Sequence, residues 1–386
     1  MAIFSGNERT SLATKRETEP NFAYLDRSAR PVMQRVREVL EDWLARYPAE
    51  AIPELLARLR SGNDVHFASA TFELYLHELM TRLGCMLAVH PDVAGGVQTH
   101  PDFLVTPPGE DPFYLEAIVA SGDSEDDRKA DNRLAAVLDA LRDMSGSDFY
   151  LSLARVGPPP QSVKTRKMVG ELQAWLATLN ADQVEQQLEA EQKVAAPRYV
   201  YQEGDWKLRF EAYPKSANRR GQPDSPNIGV VSTAVENVEA WKAIYKAVRK
   251  KATRYGTLDR PFLVAINAGA FHLGTRDVMD GLFGQEQILI RGQQVEARRE
   301  KNGAWHGPQG PQNTRVSGVL VVPGWSIFHA AMRDACVFHN PWAERPLSAY
   351  LDRLPHARAS GDVMQLHKGL HPGEILELDQ SWPGDD

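Results

Sequence analysis

The feature that most constrains this chain is a change of hydrophobic period just after residue 84. Residues 67–83 carry Ala68, Phe72, Tyr75, Leu76, Leu79 and Leu83 along one helical stripe, and Gly84 follows as a C-terminal cap. Short apolar runs then take over at 85–89, 102–105 and 113–120, separated by turn-rich stretches that include Gly95-Gly96 and Pro107-Pro108-Gly109. A helical pattern at about 128–144, a strand at 149–155 and a further helix at about 163–179 complete an α-β-β-β-α-β-α order. One helix, a three-strand meander and a crossover predict an α/β sandwich.

At 386 residues the chain exceeds one ordinary core. Residues 1–28 read as a polar arm. A helical pair follows, carried by Val32, Val36, Val39, Leu40, Trp43 and Leu44, then by Ile52, Leu55, Leu56 and Leu59 after the break at Tyr47-Pro48. A polar helix at 183–194 places a boundary near Pro197. Beyond it lie a hairpin around Glu203-Gly204, a helix at 236–254, strands at 262–267 and 315–322, and a hairpin turning at Gly292. The expected organisation is an arm and helical extension over 1–62, an α/β domain over 63–195, and a second, basic α/β domain over 196–386.

The net charge of −7 hides a strong asymmetry. Residues 207–301 hold seventeen Lys and Arg against ten Asp and Glu, a local balance of +7, so the remainder carries −14. The densest basic run supplies Lys246, Arg249, Lys250, Lys251 and Arg254 as a candidate phosphate-binding face. The same run also suits the solvated side of an amphipathic helix. No apolar stretch is long enough to cross a bilayer, the first residues have no apolar signal core, and two cysteines cannot build a disulfide framework. These features predict a cytoplasmic chain without a membrane partner, and they leave oligomerisation open.

Three acids line up within the first α/β stretch. Glu73 sits on the opening helix, Asp102 follows Pro101 at the start of a strand, and Glu116 lies inside the apolar run Phe113-Tyr-Leu-Glu-Ala-Ile-Val119. A carboxylate buried in such a run is costly unless a metal or another cation neutralises it. Two carboxylates on neighbouring strands can hold Mg²⁺, a hard cation that takes oxygen ligands and keeps several waters.

This pattern resembles the PD-(D/E)XK nuclease superfamily: a helix Phe72-Glu-Leu-Tyr-Leu, then Pro101-Asp102, then the strand acid Glu116. The resemblance covers about 65–180 and implies a restriction-endonuclease-like αβββαβ core. It also implies that Asp102 and Glu116 bind Mg²⁺ or Mn²⁺, with Glu73 assisting. The family's lysine two residues after the strand acid is absent, because Ile118 stands there. Lys129, beside Arg128 on the next helix, is the expected replacement, with Lys215 as a second candidate. The resemblance implies a Mg²⁺-dependent endonuclease acting on DNA. The missing lysine motivates the alternative of an inactive nuclease-fold module that binds nucleic acid or acts as a scaffold. A place in bacterial defence or DNA processing is suggested only by analogy of fold.

Overall fold

A computed structural model describes the chain except for residues 94–98, 121–124, 145–146, 157–158, 160–162, 191–195, 223–227, 234–239, 257, 270–272, 292–293, 361–362 and 386. Its first third runs α1 (Asn21–Arg27), α2 (Pro31–Ala45), α3 (Ile52–Leu59), α4 (Asp64–Arg82), β1 (Met86–Val89), β2 (Phe103–Thr106) and β3 (Phe113–Ala120). The middle contains α5 (Glu125–Arg142), β4 (Phe149–Val156), α6 (Thr165–Leu176), α7 (Ala181–Ala190), β5 (Arg198–Glu203), β6 (Trp206–Pro214) and β7 (Ile228–Thr233). Then come α8 (Trp241–Ala252), β8 (Phe262–Ala268), α9 (Thr275–Phe283), β9 (Glu286–Arg291), β10 (Gln294–Arg299), β11 (His306–Gly307) and β12 (Gly310–Pro311). The chain closes with β13 (Gly318–Pro323), β14 (Cys336–His339), β15 (His356–Ser360), β16 (Val363–His367) and α10 (Pro372–Ile375). Among the described residues no helix is long and apolar enough to cross a membrane.

Two compact units form. One comprises Met1–Ala13, Pro20–Gly122 and Glu239–Asp386, the other Thr14–Glu19 and Asp123–Val238. This division differs from boundaries at 62 and 195, because the chain leaves the first unit after β3 and returns to it with α8. The first unit holds an eight-stranded sheet in the order β1-β2-β3-β8-β13-β14-β15-β16. The meander β1-β2-β3 is antiparallel, and β8 adds to β3 in parallel, with Glu116 beside Val264.

Within this unit the order leading to β8 is therefore α4-β1-β2-β3-α8-β8. The sequence pattern places the helix at 128–144 and the strand at 149–155 in the last two positions. Both lie in the second unit instead, and burial explains why. Every residue of β8 is buried, as a central strand covered on two faces requires. In β4, Leu151 and Leu153 are buried while Tyr150 and Ser152 are half-buried, which suits a sheet covered on one face.

Helices cover both faces of the large sheet. On one side, residues from α2, α3 and α4 such as Leu40, Trp43, Leu55, Phe72 and Leu76 pack on Phe113, Leu115, Leu263, Ala265 and Leu320. On the other, Ile244 and Val248 of α8 and Val278 and Leu282 of α9 pack on Tyr114, Phe262, Val264, Ile266 and Val319. Each fully buried side chain of this size contributes about 1.5–3 kcal/mol. The N-terminal segment is less of a polar arm than its composition predicts. Ile3 and Phe4 are buried in the first of these cores, and their backbone N–H groups donate to Glu41 Oε1 at 2.7 and 3.0 Å.

The second unit is a four-stranded sheet, β5-β6-β4-β7. Leu151, Leu153, Leu208 and Phe210 of this sheet pack against Val137, Leu141, Met168 and Leu172 of its helices. The hairpin expected at Glu203-Gly204 is present, with Gly204 at φ +61°, a conformation that favours glycine. The turn expected at Gly292 lies outside the described residues.

Candidate metal and phosphate site

The site grows from the pairing of β2 with β3. Phe103 faces Leu115 in this antiparallel ladder, and one further step sets Asp102 opposite Glu116. There the side chains replace the backbone ladder. Ala117 N–H donates to Asp102 Oδ2 at 2.6 Å, and Asp102 N–H donates to Glu116 Oε2 at 3.2 Å. The two strand acids that stand out in the sequence are thus brought together.

Strand alternation turns Glu116 toward the α8 side of the sheet, together with Tyr114 and Ile118. The inward stripe of α8 runs Ile244, Val248, Lys251 and continues to Tyr255. Lys251 Nζ makes a direct hydrogen-bonded ion pair with Glu116 Oε1. Arg254 Nη1 reaches the same oxygen at 3.2 Å. Tyr255 OH donates to Glu116 Oε2 at 2.5 Å and lies 3.1 Å from His100 O. Burial pushes the Tyr255 hydroxyl well above the ordinary phenol range, so it remains a donor. Glu116 is 1% exposed and Lys251 6%, so neither charge can fall back on bulk water.

A cation therefore meets the strand acid from α8, on the face to which position 118 contributes isoleucine. It is Lys251 rather than Lys129, which lies exposed on α5 of the second unit. Lys215 is also in the second unit, buried, with its Nζ 5.4 Å from the centre of the Tyr150 ring. The expected basic face of α8 is corrected in one respect. Lys246, Arg249, Lys250 and Arg254 are exposed, but Lys251 points inward because it falls on the stripe of Ile244 and Val248.

Asp102 is the electrostatically unsettled member. Burial, followed by the charges of Glu116 and Glu73, raises its pKa well above the ordinary carboxyl range, against the opposing pull of Ala117 N–H and Lys251. Glu73 is buried, accepts from Tyr47 OH at 2.6 Å and pairs with Arg58 Nη1 at 2.7 Å. Glu78, its rival on the same helix, is taken up by Arg46 and Arg82 at 2.7 and 2.8 Å.

Asp102 and Glu116 supply carboxylate oxygens, the donor type a hard divalent cation takes, although Glu116 already accepts from Lys251, Arg254, Tyr255 and the Asp102 N–H. Each acid is tied to the other's strand by a backbone N–H, and the half-buried Asp102 has no ion-pairing cation among the described residues. Mg²⁺ keeps several waters and is commonly held by only one or two protein carboxylates together with substrate phosphate. Among the described residues no group of three His, Cys, Asp or Glu side chains is arranged to hold a metal. Glu73 is engaged by Tyr47 and Arg58.

One helical turn beyond Glu73, His77 is 4% exposed, with its ring 4.9 Å from that of Tyr47 and its Nδ1 without a hydrogen-bond partner. Burial lowers its pKa from 6.5 to about 4, outweighing the opposite effects of Glu78 and Glu73. The unfolded chain therefore binds a proton here between about pH 6.5 and 4 that the folded chain does not, and stability falls as pH falls through that window. The loss attributable to His77 is on the order of 3 kcal/mol. Urea unfolding at pH 7 and 4.5 should show His77→Phe losing less stability on acidification than the natural protein.

No family model, curated protein or solved structure matches this chain.

Proposed function

We propose that the first unit is a metal-dependent phosphodiesterase of the PD-(D/E)XK type acting on DNA. The observation that carries this reading is Lys251. A lysine on the otherwise apolar stripe of α8 reaches the strand acid Glu116, which stands opposite Asp102, so that two carboxylates and one ammonium are assembled without a lysine at 118. The order α4-β1-β2-β3-α8-β8 supports the same reading, with the second unit inserted between β3 and α8.

Asp102 and Glu116 would hold Mg²⁺ or Mn²⁺, which when bound would acidify a coordinated water and offset charge on the phosphate. Lys251 compensates Glu116 and provides a proton donor beside it. Glu73, fixed by Tyr47 and Arg58, contributes negative potential at Asp102. Lys246, Arg249, Lys250 and Arg254 provide exposed positive charge for the DNA backbone.

Cleavage decides the matter. Purified protein should cut DNA in the presence of Mg²⁺ or Mn²⁺ and stop when chelator is added, while Asp102→Ala protein prepared alongside should not cut. Protein that cuts no form of DNA or RNA would retire the enzyme reading.

One observation favours the second reading, an inactive nucleic-acid-binding module. Glu116 already accepts from Lys251, Arg254, Tyr255 and the Asp102 backbone, so the protein itself compensates the acid. On that reading Asp102→Ala leaves DNA binding intact or improves it. For either reading, charge reversal at Lys246, Arg249 and Lys250 should weaken DNA binding. It should also flatten the dependence of log K on log salt by about 0.9 for each phosphate no longer neutralised. An unchanged affinity and slope would make this face simply the solvated side of α8.

A further inference from the structure

We infer that Arg254 is a latch on the metal position, released when its guanidinium is taken by a phosphate of the DNA backbone, so that metal and DNA bind cooperatively. This rests on the proposed reading of the site. A carboxylate offers about four lone-pair directions. In Glu116 four donors use them: Lys251 and Arg254 at Oε1, Tyr255 and the Asp102 N–H at Oε2. With Glu116 1% exposed, a cation can reach its oxygens only by displacing one of these donors.

The four are not equally replaceable. Lys251 and Tyr255 are buried, and the fourth donor is backbone. Arg254 has a side chain 44% exposed and makes the longest of the three side-chain contacts, at 3.2 Å. It stands two residues past the last residue of α8, in the closing turn where its backbone N–H donates to Lys251 O at 3.2 Å, so its side chain can move while its backbone stays in place. Its guanidinium carbon is 5.7 Å from the centre of the Tyr255 ring, so on leaving Glu116 it stays tethered at the rim of the site. A planar guanidinium in that position suits bidentate contact with a phosphate. Phosphate bound to Arg254 unmasks Glu116, and metal on Glu116 frees Arg254 for phosphate. The two ligands then strengthen each other by the same factor.

Calorimetric titration with Mn²⁺ tests the latch without any catalytic readout. The natural protein, Arg254→Ala, Arg254→Gln and Asp102→Ala are titrated in the absence of nucleic acid, then with a nuclease-resistant phosphorothioate duplex whose own Mn²⁺ uptake is subtracted. Either Arg254 variant should bind Mn²⁺ about fivefold or more tightly than the natural protein. The duplex should tighten binding by the natural protein and leave the variants unchanged. Equal or weaker Mn²⁺ binding by both Arg254 variants, with Asp102-dependent binding present in the natural protein, would overturn the latch and leave the metal site standing. Absence of Asp102-dependent binding from the natural protein and both Arg254 variants would overturn the latch together with the reading beneath it.

Discussion

Lys251→Met is expected to lower metal-dependent cleavage by about 10²–10⁴-fold, the range for losing a positioned proton-transfer group. The same change should cost about 3 kcal/mol of stability in metal-free protein, because it leaves Glu116 buried without its nearest counter-charge. Arg254 and Tyr255 still donate to Glu116 and keep the cost at the lower end of the buried-pair range. Urea unfolding and initial cleavage rates measure the two effects separately. A loss of stability with an unchanged rate would make Lys251 a structural counter-ion and remove it from the chemistry. Lys251→Arg should recover part of the stability and little of the rate, since a planar fork cannot replace a compact ammonium in a closed space.

Asp102→Asn should have opposite effects on activity and stability. Cleavage should fall below detection, because an amide is a poor ligand for a hard cation where a carboxylate is needed. Metal-free stability should rise at neutral pH. The folded state raises the Asp102 pKa above its ordinary 3.8, so over that window the folded protein binds a proton that the unfolded chain has released. Stability contributed by this group is therefore full below about pH 3.8 and is lost as pH rises through the folded value. Asparagine keeps an oxygen for Ala117 N–H and removes the titration. The variant's advantage should be absent near pH 3.5, grow with pH, and shrink when Mg²⁺ stabilises the natural protein by mass action. A variant less stable than the natural protein at pH 7.5 without metal would contradict this account of Asp102.

Local patterns reveal local structure. The stripe from Phe72 to Leu79, the meander and the hairpin at Gly204 are all legible because period and turn chemistry act over a few residues. Long-range pairing is not. Nothing near Ala120 announces that the partner of β3 begins at Phe262, beyond an entire second unit. The one available cue is the contrast between an apolar run without alternation at 262–266 and the alternating run at 149–153. That contrast separates a strand covered on both faces from one covered on a single face.

The same contrast applies to the site. Glu116 stands out because an acid interrupts an apolar strand. Lys251 presents the complementary signal, a cation on the apolar stripe of Ile244, Val248 and Tyr255. Grouping it with its exposed neighbours Arg249 and Lys250 conceals that stripe. Tyr255, Tyr47 and Arg58 carry no comparable signal, since tyrosines and a helix-end arginine are common where they stand.

The most direct test of the central claim is the position of a bound metal. Crystals of the protein grown or soaked with Mn²⁺ should show an anomalous peak about 2.1 Å from a carboxylate oxygen of Asp102 and of Glu116, with Arg254 withdrawn and Lys251 still beside Glu116. A fully occupied crystal with no peak there, or with Mn²⁺ held elsewhere while Glu116 keeps Lys251, Arg254 and Tyr255, would contradict it.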